Sequence, residues 1–179
     1  EIGCGGFLCS GRGRHTRVVP VSWARRGVYK TGLVLAGNDG AVMTVGFGHR
    51  DPSVEVWSTS RVDQPWRVDD EGIDAVSDLL HAAHVAVSDD VPANEEWHYR
   101  PMGTGVPVPW RIILKLRTST LAGFEGGTKI YVNTISPTTL AAMLLPKLFE
   151  ARAAGRIAAM NLGDECEIPR GVLAVTRER

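Results

Sequence analysis

An α+β fold is predicted: an antiparallel sheet of about five to seven strands, with two helices packed on one face. Three observations carry this. Short β-branched runs separated by glycine-rich turns follow one another early in the chain, an arrangement that suits a meander. Residues 71–87 repeat apolar side chains at helical spacing. The stretch from Thr128 to Met160 runs from a strand-like TKIYVN into a long helix-forming segment.

Taken in order, residues 1–16 are glycine-rich, with Ile2, Phe7 and Leu8 as anchors, and read as a flexible or partner-held basic arm. Residues 17–179 then form a single domain. The chain opens at Glu1 without methionine, which reads as a processed or excised form. Arg17–Trp23 suggests a strand, placed at an edge by Pro20, which has no N–H for a ladder. Lys30–Ala36 and Ala41–Phe47 flank Gly37-Asn38-Asp39-Gly40, residues that tolerate positive φ, and so form a hairpin. In Ser53–Ser60, Val54, Val56 and Ser58 alternate with Glu55, Trp57 and Thr59, a half-buried strand.

Asp69-Asp70-Glu71 puts acids where the positive end of a helix favours them, and the helix runs over 71–87. With Ile73 at the centre of its buried face, His84 falls near that centre and His81 on the solvent side beside Asp78. Residues 88–109, with Pro92, Pro101, Pro107 and Pro109, read as a long functional or partner-facing loop. Trp110–Thr118 is a strand and Thr128–Asn133 its expected neighbour. Ser136 is an N-cap, with Pro137 in the first turn where its missing N–H costs nothing. Pro146 removes a hydrogen bond within this second helix and predicts a kink or break there. Thr138–Leu145 is then the core piece, the remainder surface or interface, and Gly171–Thr176 a last strand.

The chain has 179 residues, enough for one domain with a real core, and a formal net charge of zero. That charge is unevenly spread, with seven basic against two acidic residues over 1–50 and twelve acidic against three basic over 51–100. A dipolar surface of this kind suits docking. Cys4, Cys9 and Cys166 make no disulfide framework, which fits a reducing, cytoplasmic compartment or an intracellularly assembled particle. No apolar run is long enough for a membrane helix, and no signal-peptide pattern opens the chain.

Several clusters could carry chemistry. His49 with Arg50 and Asp51 sits in a turn between two predicted strands, where an imidazole beside a carboxylate can move protons. Glu95-Glu96-Trp97-His98-Tyr99-Arg100 supplies carboxylates, an imidazole, a phenol and a guanidinium within six residues, with Trp97 to stack on a ligand. From these, His98, Glu96, His49 and Asp51 are the candidate catalytic residues, and Trp97, Tyr99 and Arg100 candidate binding residues. Arg12, Arg14, Arg17, Arg25 and Arg26 with Lys30 form a basic cluster over 12–30 that could contact phosphates of nucleic acid. Neutral overall charge argues against a dedicated nucleic-acid binder. No phosphate loop, dinucleotide fingerprint, hydrolase elbow or paired zinc-ligand spacing occurs, and neither cofactor nor metal is expected.

Without a linear catalytic motif, the leading reading is a non-catalytic protein-binding or assembly module: an adaptor, an immunity-type inhibitor or a virion subunit, partnered by another protein or by itself. The alternative is a hydrolase-type enzyme for a phosphoester or similar polar substrate, using His49 or His98 with nearby carboxylates. A third is nucleic-acid contact through the arginine-rich arm.

Overall fold

The computed structural model describes residues 33–88, 90–105, 108–118 and 123–166. They form an α+β unit built on one antiparallel sheet of six strands: β1 (Val34–Gly37), β2 (Ala41–Val45), β3 (Ser53–Ser58), β4 (Ala93–His98), β5 (Arg111–Leu116) and β6 (Asn161–Leu162). Their order across the sheet is β4-β5-β3-β2-β1-β6. The helices are α1 (Asp70–Val87), the short α2 (Gly123–Thr128) and α3 (Pro137–Ala153). The predicted fold class is thus the observed one. The arm over 1–16 and the predicted strands at 17–23 and 171–176 lie outside the described residues.

The β1–β2 hairpin forms at the predicted place, although none of residues 37–40 takes the positive φ expected there, and the Asn38 side chain closes the turn instead. The Asn38 side-chain oxygen accepts hydrogen bonds from the Gly40 and Ala41 amides, at 3.2 and 2.8 Å. The Asn38 amide then donates to the Ala75 carbonyl, pinning the hairpin tip to α1. A Cβ on Gly40 would stand 2.6 Å from that of Ala75, so only glycine allows this approach.

Alternation assigns each strand two faces. Val54 and Val56 of β3 and Ile112, Leu114 and Leu116 of β5 point towards the helices and share one buried cluster with Val76, Leu79, Ala83 and Ala86 of α1. Leu140, Leu144, Leu148 and Ala151 of α3 complete it. Leu35, Leu79, Leu148 and Leu162 are fully buried, and each such side chain stabilises the fold by about 1.5–3 kcal/mol. Helix α1 lies against β2 and β3, α3 against β1 and β2, and the two helices pack on each other. None of the described helices is long and apolar enough to cross a membrane.

Both long helices start as predicted. The Asp69 carboxylate accepts from the Gly72 amide at 2.9 Å, and Ser136 Oγ accepts from the Thr139 amide at 3.1 Å. Each cap satisfies a donor that the first helical turn leaves unpaired.

Four expectations are corrected. Helix α3 runs through Pro146 without a break, and its second half is not all surface, because Leu148 and Ala151 are wholly buried while Pro146, Lys147, Phe149 and Glu150 stay exposed. Tertiary burial outweighs the local cost of the proline. His84 is exposed, not central: α1 buries Val76, Leu79, Ala82, Ala83, Ala86 and Val87, so the apolar stripe is rotated away from it. Thr128–Asn133 is not a strand. β5 already pairs with β3 on one side and β4 on the other, leaving no edge for a third partner despite the β-branched residues. Finally, the supposed long loop contains β4, which spans most of the candidate cluster.

Candidate functional site

The face of the sheet turned away from α1 and α3 is polar. Register arranges it in rows. Glu96 (β4), Ile113 (β5), Glu55 (β3) and Thr44 (β2) stand side by side across four strands. His98, Arg111 and Trp57 form the next row, and Asn94, Lys115 and Ser53 the row on the other side. Ile113 stands apart from the helix-side core yet is buried, as are Thr44, Ser53 and Glu55 on the same face, so the middle of this face is covered and its β4–β5 edge is the open part.

Two imidazole–carboxylate pairs occupy the face. Lys115 Nζ donates to Glu96 Oε1 at 2.6 Å, and the other oxygen of Glu96 lies 3.4 Å from His98 Nε2. The bond from Lys115 is the main reason the Glu96 carboxyl is held below the usual glutamate range, against an opposing push from burial. His49, in the β2–β3 turn, meets Glu55 Oε1 through its Nε2 at 2.5 Å, with the Glu55 side chain almost fully buried. A Cβ on Gly46 would crowd Ser53 Oγ, His49 and Glu55 together, so this close cluster depends on a glycine there. Asn133 donates to the His49 carbonyl at 3.4 Å, and the Arg50 guanidinium lies 4.4 Å from the Tyr131 ring centre. The 131–133 segment, expected in the sheet, therefore packs on this turn instead.

Neighbouring strands are roughly 4.8 Å apart, so the backbones carrying Glu96 and Glu55 are separated by about 10 Å. His98 and His49 are each held by a different carboxylate, Glu96 and Glu55, on strands separated by β5. The third element of the face is Arg111, whose guanidinium lies 4.4 Å from the Trp57 ring centre. Sequence reading missed Arg111, Lys115, Glu55 and Trp57, because only strand pairing brings them beside the histidines. The visible signal was alternation in SVEVWS, which put Glu55 and Trp57 on the polar side.

The compact cluster at 95–100 is divided by the strand that carries it. Glu95 and Trp97 turn to the helix side, where Glu95 meets His84 at 2.8 Å and accepts from the Trp97 indole at 3.2 Å. Trp97 stacks on Trp110 with ring centres 5.9 Å apart. Tyr99 packs edge-on against Trp66, and Arg100 is paired with Asp63 at 3.0 Å. Those contacts hold the loop after β3 and leave Trp97, Tyr99 and Arg100 away from the polar face. Asp51 pairs loosely with Arg50, at 4.0 Å. Arg12, Arg14, Arg17, Arg25 and Arg26 lie outside the described residues, as do Cys4 and Cys9, while Cys166 is a free thiol. Among the described residues, no group of three or more His, Cys, Asp or Glu side chains is gathered to hold a metal ion.

A cavity of about 350 Å³ lies at the far end of the sheet, lined by Gly37, Asn38, Asp39, Arg152 and Asn161 among others. Its one guanidinium, Arg152, is already engaged by Glu165 and by the Met160 carbonyl. The polar face offers the richer chemistry.

Residues 15–175 match the family described as Domain of unknown function (DUF4921). The chain belongs to that family. No curated protein matches. Among solved structures, the fold is similar to that of an ADP-glucose phosphorylase from Arabidopsis thaliana with bound ADP-glucose, with a TM-score of 0.56 and 17% identity. The match covers 73% of this chain and 49% of that protein, so the chain spans about half its length. This overturns the leading reading of a non-catalytic protein-binding or assembly module. That reading rested on the lack of a linear catalytic motif, and this fold is shared with an enzyme. Functional groups spread over several strands, as on the polar face here, leave no such motif.

Proposed function

We propose that the protein is an enzyme acting on a phosphoester, with the substrate lying over the exposed β4–β5 edge of the helix-free face of the sheet. The observation that carries this is the linked trio Lys115–Glu96–His98, in a fold similar to that of an ADP-glucose phosphorylase. Lys115 fixes Glu96, and Glu96 in turn orients the His98 ring, the arrangement that readies an imidazole for proton transfer. In the reaction, a water oxygen bonds to phosphorus while the ester P–O bond breaks. His98 takes the proton from that water and returns it to the departing oxygen. Cations on the same face offset the negative charge that gathers on the phosphoryl oxygens.

A nucleotide-linked sugar phosphate is the first class to test. The full chain, incubated with nucleoside diphosphate sugars with and without inorganic phosphate, is followed by phosphorus NMR. Cleavage that falls about 100-fold or more in His98→Asn supports the reading, as expected when a general acid–base group is removed. Turnover indifferent to His98→Asn, or no cleavage of any phosphoester offered, refutes it.

A further inference from the structure

We propose that Arg111, laid against Trp57 and flanked by His98, is a subsite for a phosphoryl group. Register places His98 directly across from Arg111 on one side and Trp57 on the other. The guanidinium lies 4.4 Å from the indole ring centre, so the aromatic surface fixes its plane. Its Nε is buried and, among the described residues, has no hydrogen-bond partner. Buried polar atoms are nearly always paired, and a charged donor is the costliest to leave bare. The Nε is covered by the protein itself, so the terminal nitrogens of Arg111, which are not among the buried unpaired atoms, are the donors that a ligand can reach.

The other cations nearby are engaged. Lys115 is held by Glu96, Arg100 by Asp63 and Arg50 lies beside Asp51. Among the described residues, Arg111 faces no carboxylate within ion-pair distance, so its charge is available to an oxyanion. A planar guanidinium offers parallel N–H donors that match two oxygens of one phosphoryl group, which a lysine cannot do. The adjacent row places Glu96 beside the same group, and His98, which Glu96 holds, stands in the same row as Arg111. The ligand class is therefore a terminal or bridging phosphoryl group, free or carried by a nucleoside diphosphate. Its role as a substrate subsite rests on the phosphoester reading above, but its capacity to bind an anion does not.

The test is calorimetric titration of the full chain with inorganic phosphate, pyrophosphate and ADP at fixed ionic strength. Tighter binding of ADP than of phosphate assigns the site to a nucleotide, and the reverse order assigns it to free phosphate. Either supports the subsite, provided that Arg111→Gln weakens binding at least tenfold and Arg111→Lys by a smaller factor. If Arg111→Gln fails to fold, the wild-type chain labelled with nitrogen-15 decides the matter. A shifted Arg111 Nε resonance on adding phosphate supports the subsite, and an unmoved one overturns it. Binding unchanged in Arg111→Gln or Arg111→Lys, or absent for all three probes, also overturns it. Arginine-dependent binding without turnover leaves this inference standing and removes the enzymatic reading. Turnover whose KM is the same in Arg111→Lys removes this inference alone.

Discussion

Lys115 reaches diagonally across the β4–β5 pair to place its ammonium 2.6 Å from the Glu96 carboxylate. Lys115 stands opposite Asn94 in the register, so the contact is between a residue and its partner's second neighbour, a distance that only long side chains span. The bond sets the ionisation of Glu96. A carboxyl held low contributes stability above its unfolded value of about 4.3, and that contribution fades as the pH falls through the folded value. Both side chains are partly exposed, at 26% and 41%, so solvent screening limits the pair to roughly 0–1 kcal/mol. In Lys115→Ala, carbon-13 titration should show the Glu96 carboxyl moving up, with denaturant stability at neutral pH almost unchanged. A Glu96 carboxyl that titrates as before would show that Lys115 does not control it.

Gly46 tests the second imidazole pair. Its backbone amide donates to the Ser53 carbonyl at 2.8 Å, and a methyl group there would come within 2.9 Å of the His49 ring. Ser53 is fully buried and cannot withdraw into solvent. Gly46→Ala should cost on the order of 1–3 kcal/mol, the usual range for overpacking, and should part His49 from Glu55. Urea denaturation measures the first effect and nitrogen NMR of the imidazole the second. Wild-type stability with an undisturbed His49 signal would mean that the turn yields easily.

Helix α3 offers a paired experiment. Pro146 lies exposed within the helix, where it deprives the Ala142 carbonyl of its intrahelical donor, while Leu148 two residues later is fully buried. Leu148→Ala should lose about 2–5 kcal/mol by leaving a cavity under the helix. Pro146→Ala should gain roughly 1–3 kcal/mol by restoring the donor and removing the ring. Thermal and denaturant melts of both variants check the signs. A loss of stability in Pro146→Ala would mean that the proline ring supports the packing around it.

What could be read from the sequence follows from how local each determinant is. The place of the 37–40 turn, the acids at the start of α1, the Ser136 cap and the alternation through Val54 and Val56 need only neighbours along the chain, and they form as read. β4 was hidden because an edge strand bears charged and aromatic residues on both faces, so Asn94-Glu95-Glu96-Trp97 shows no apolar alternation. Thr128–Asn133 has the composition of a strand, but the sheet has no room beside β5. The site was half legible. His49, Glu96 and His98 were chosen from their chemistry, whereas Lys115, Glu55, Arg111 and Trp57 join them only through pairing between distant strands. Asp51 and Arg100 look equivalent to those residues in sequence, but Asp51 lies beside its neighbour Arg50 and Arg100 is held by the distant Asp63.

The tie between the end of α3 and the 161–165 segment gives a prediction that is independent of any catalytic reading. Glu165 accepts from both terminal nitrogens of Arg152 and from the Leu162 amide. Those bonds, the Arg152 contact foremost, draw the Glu165 carboxyl down to about 2. Because the folded value is the lower one, the contribution of the pair is complete above the unfolded value of about 4.3. It declines between there and about 2 as the carboxylate takes up a proton. Carbon-13 titration should place the Glu165 midpoint well below those of freely solvated glutamates, and Arg152→Ala should return it towards them. In Glu165→Gln, the acid-induced loss of stability over this window should become shallower. A wild-type midpoint near 4, or one unmoved by Arg152→Ala, would show that the pair does not persist in solution.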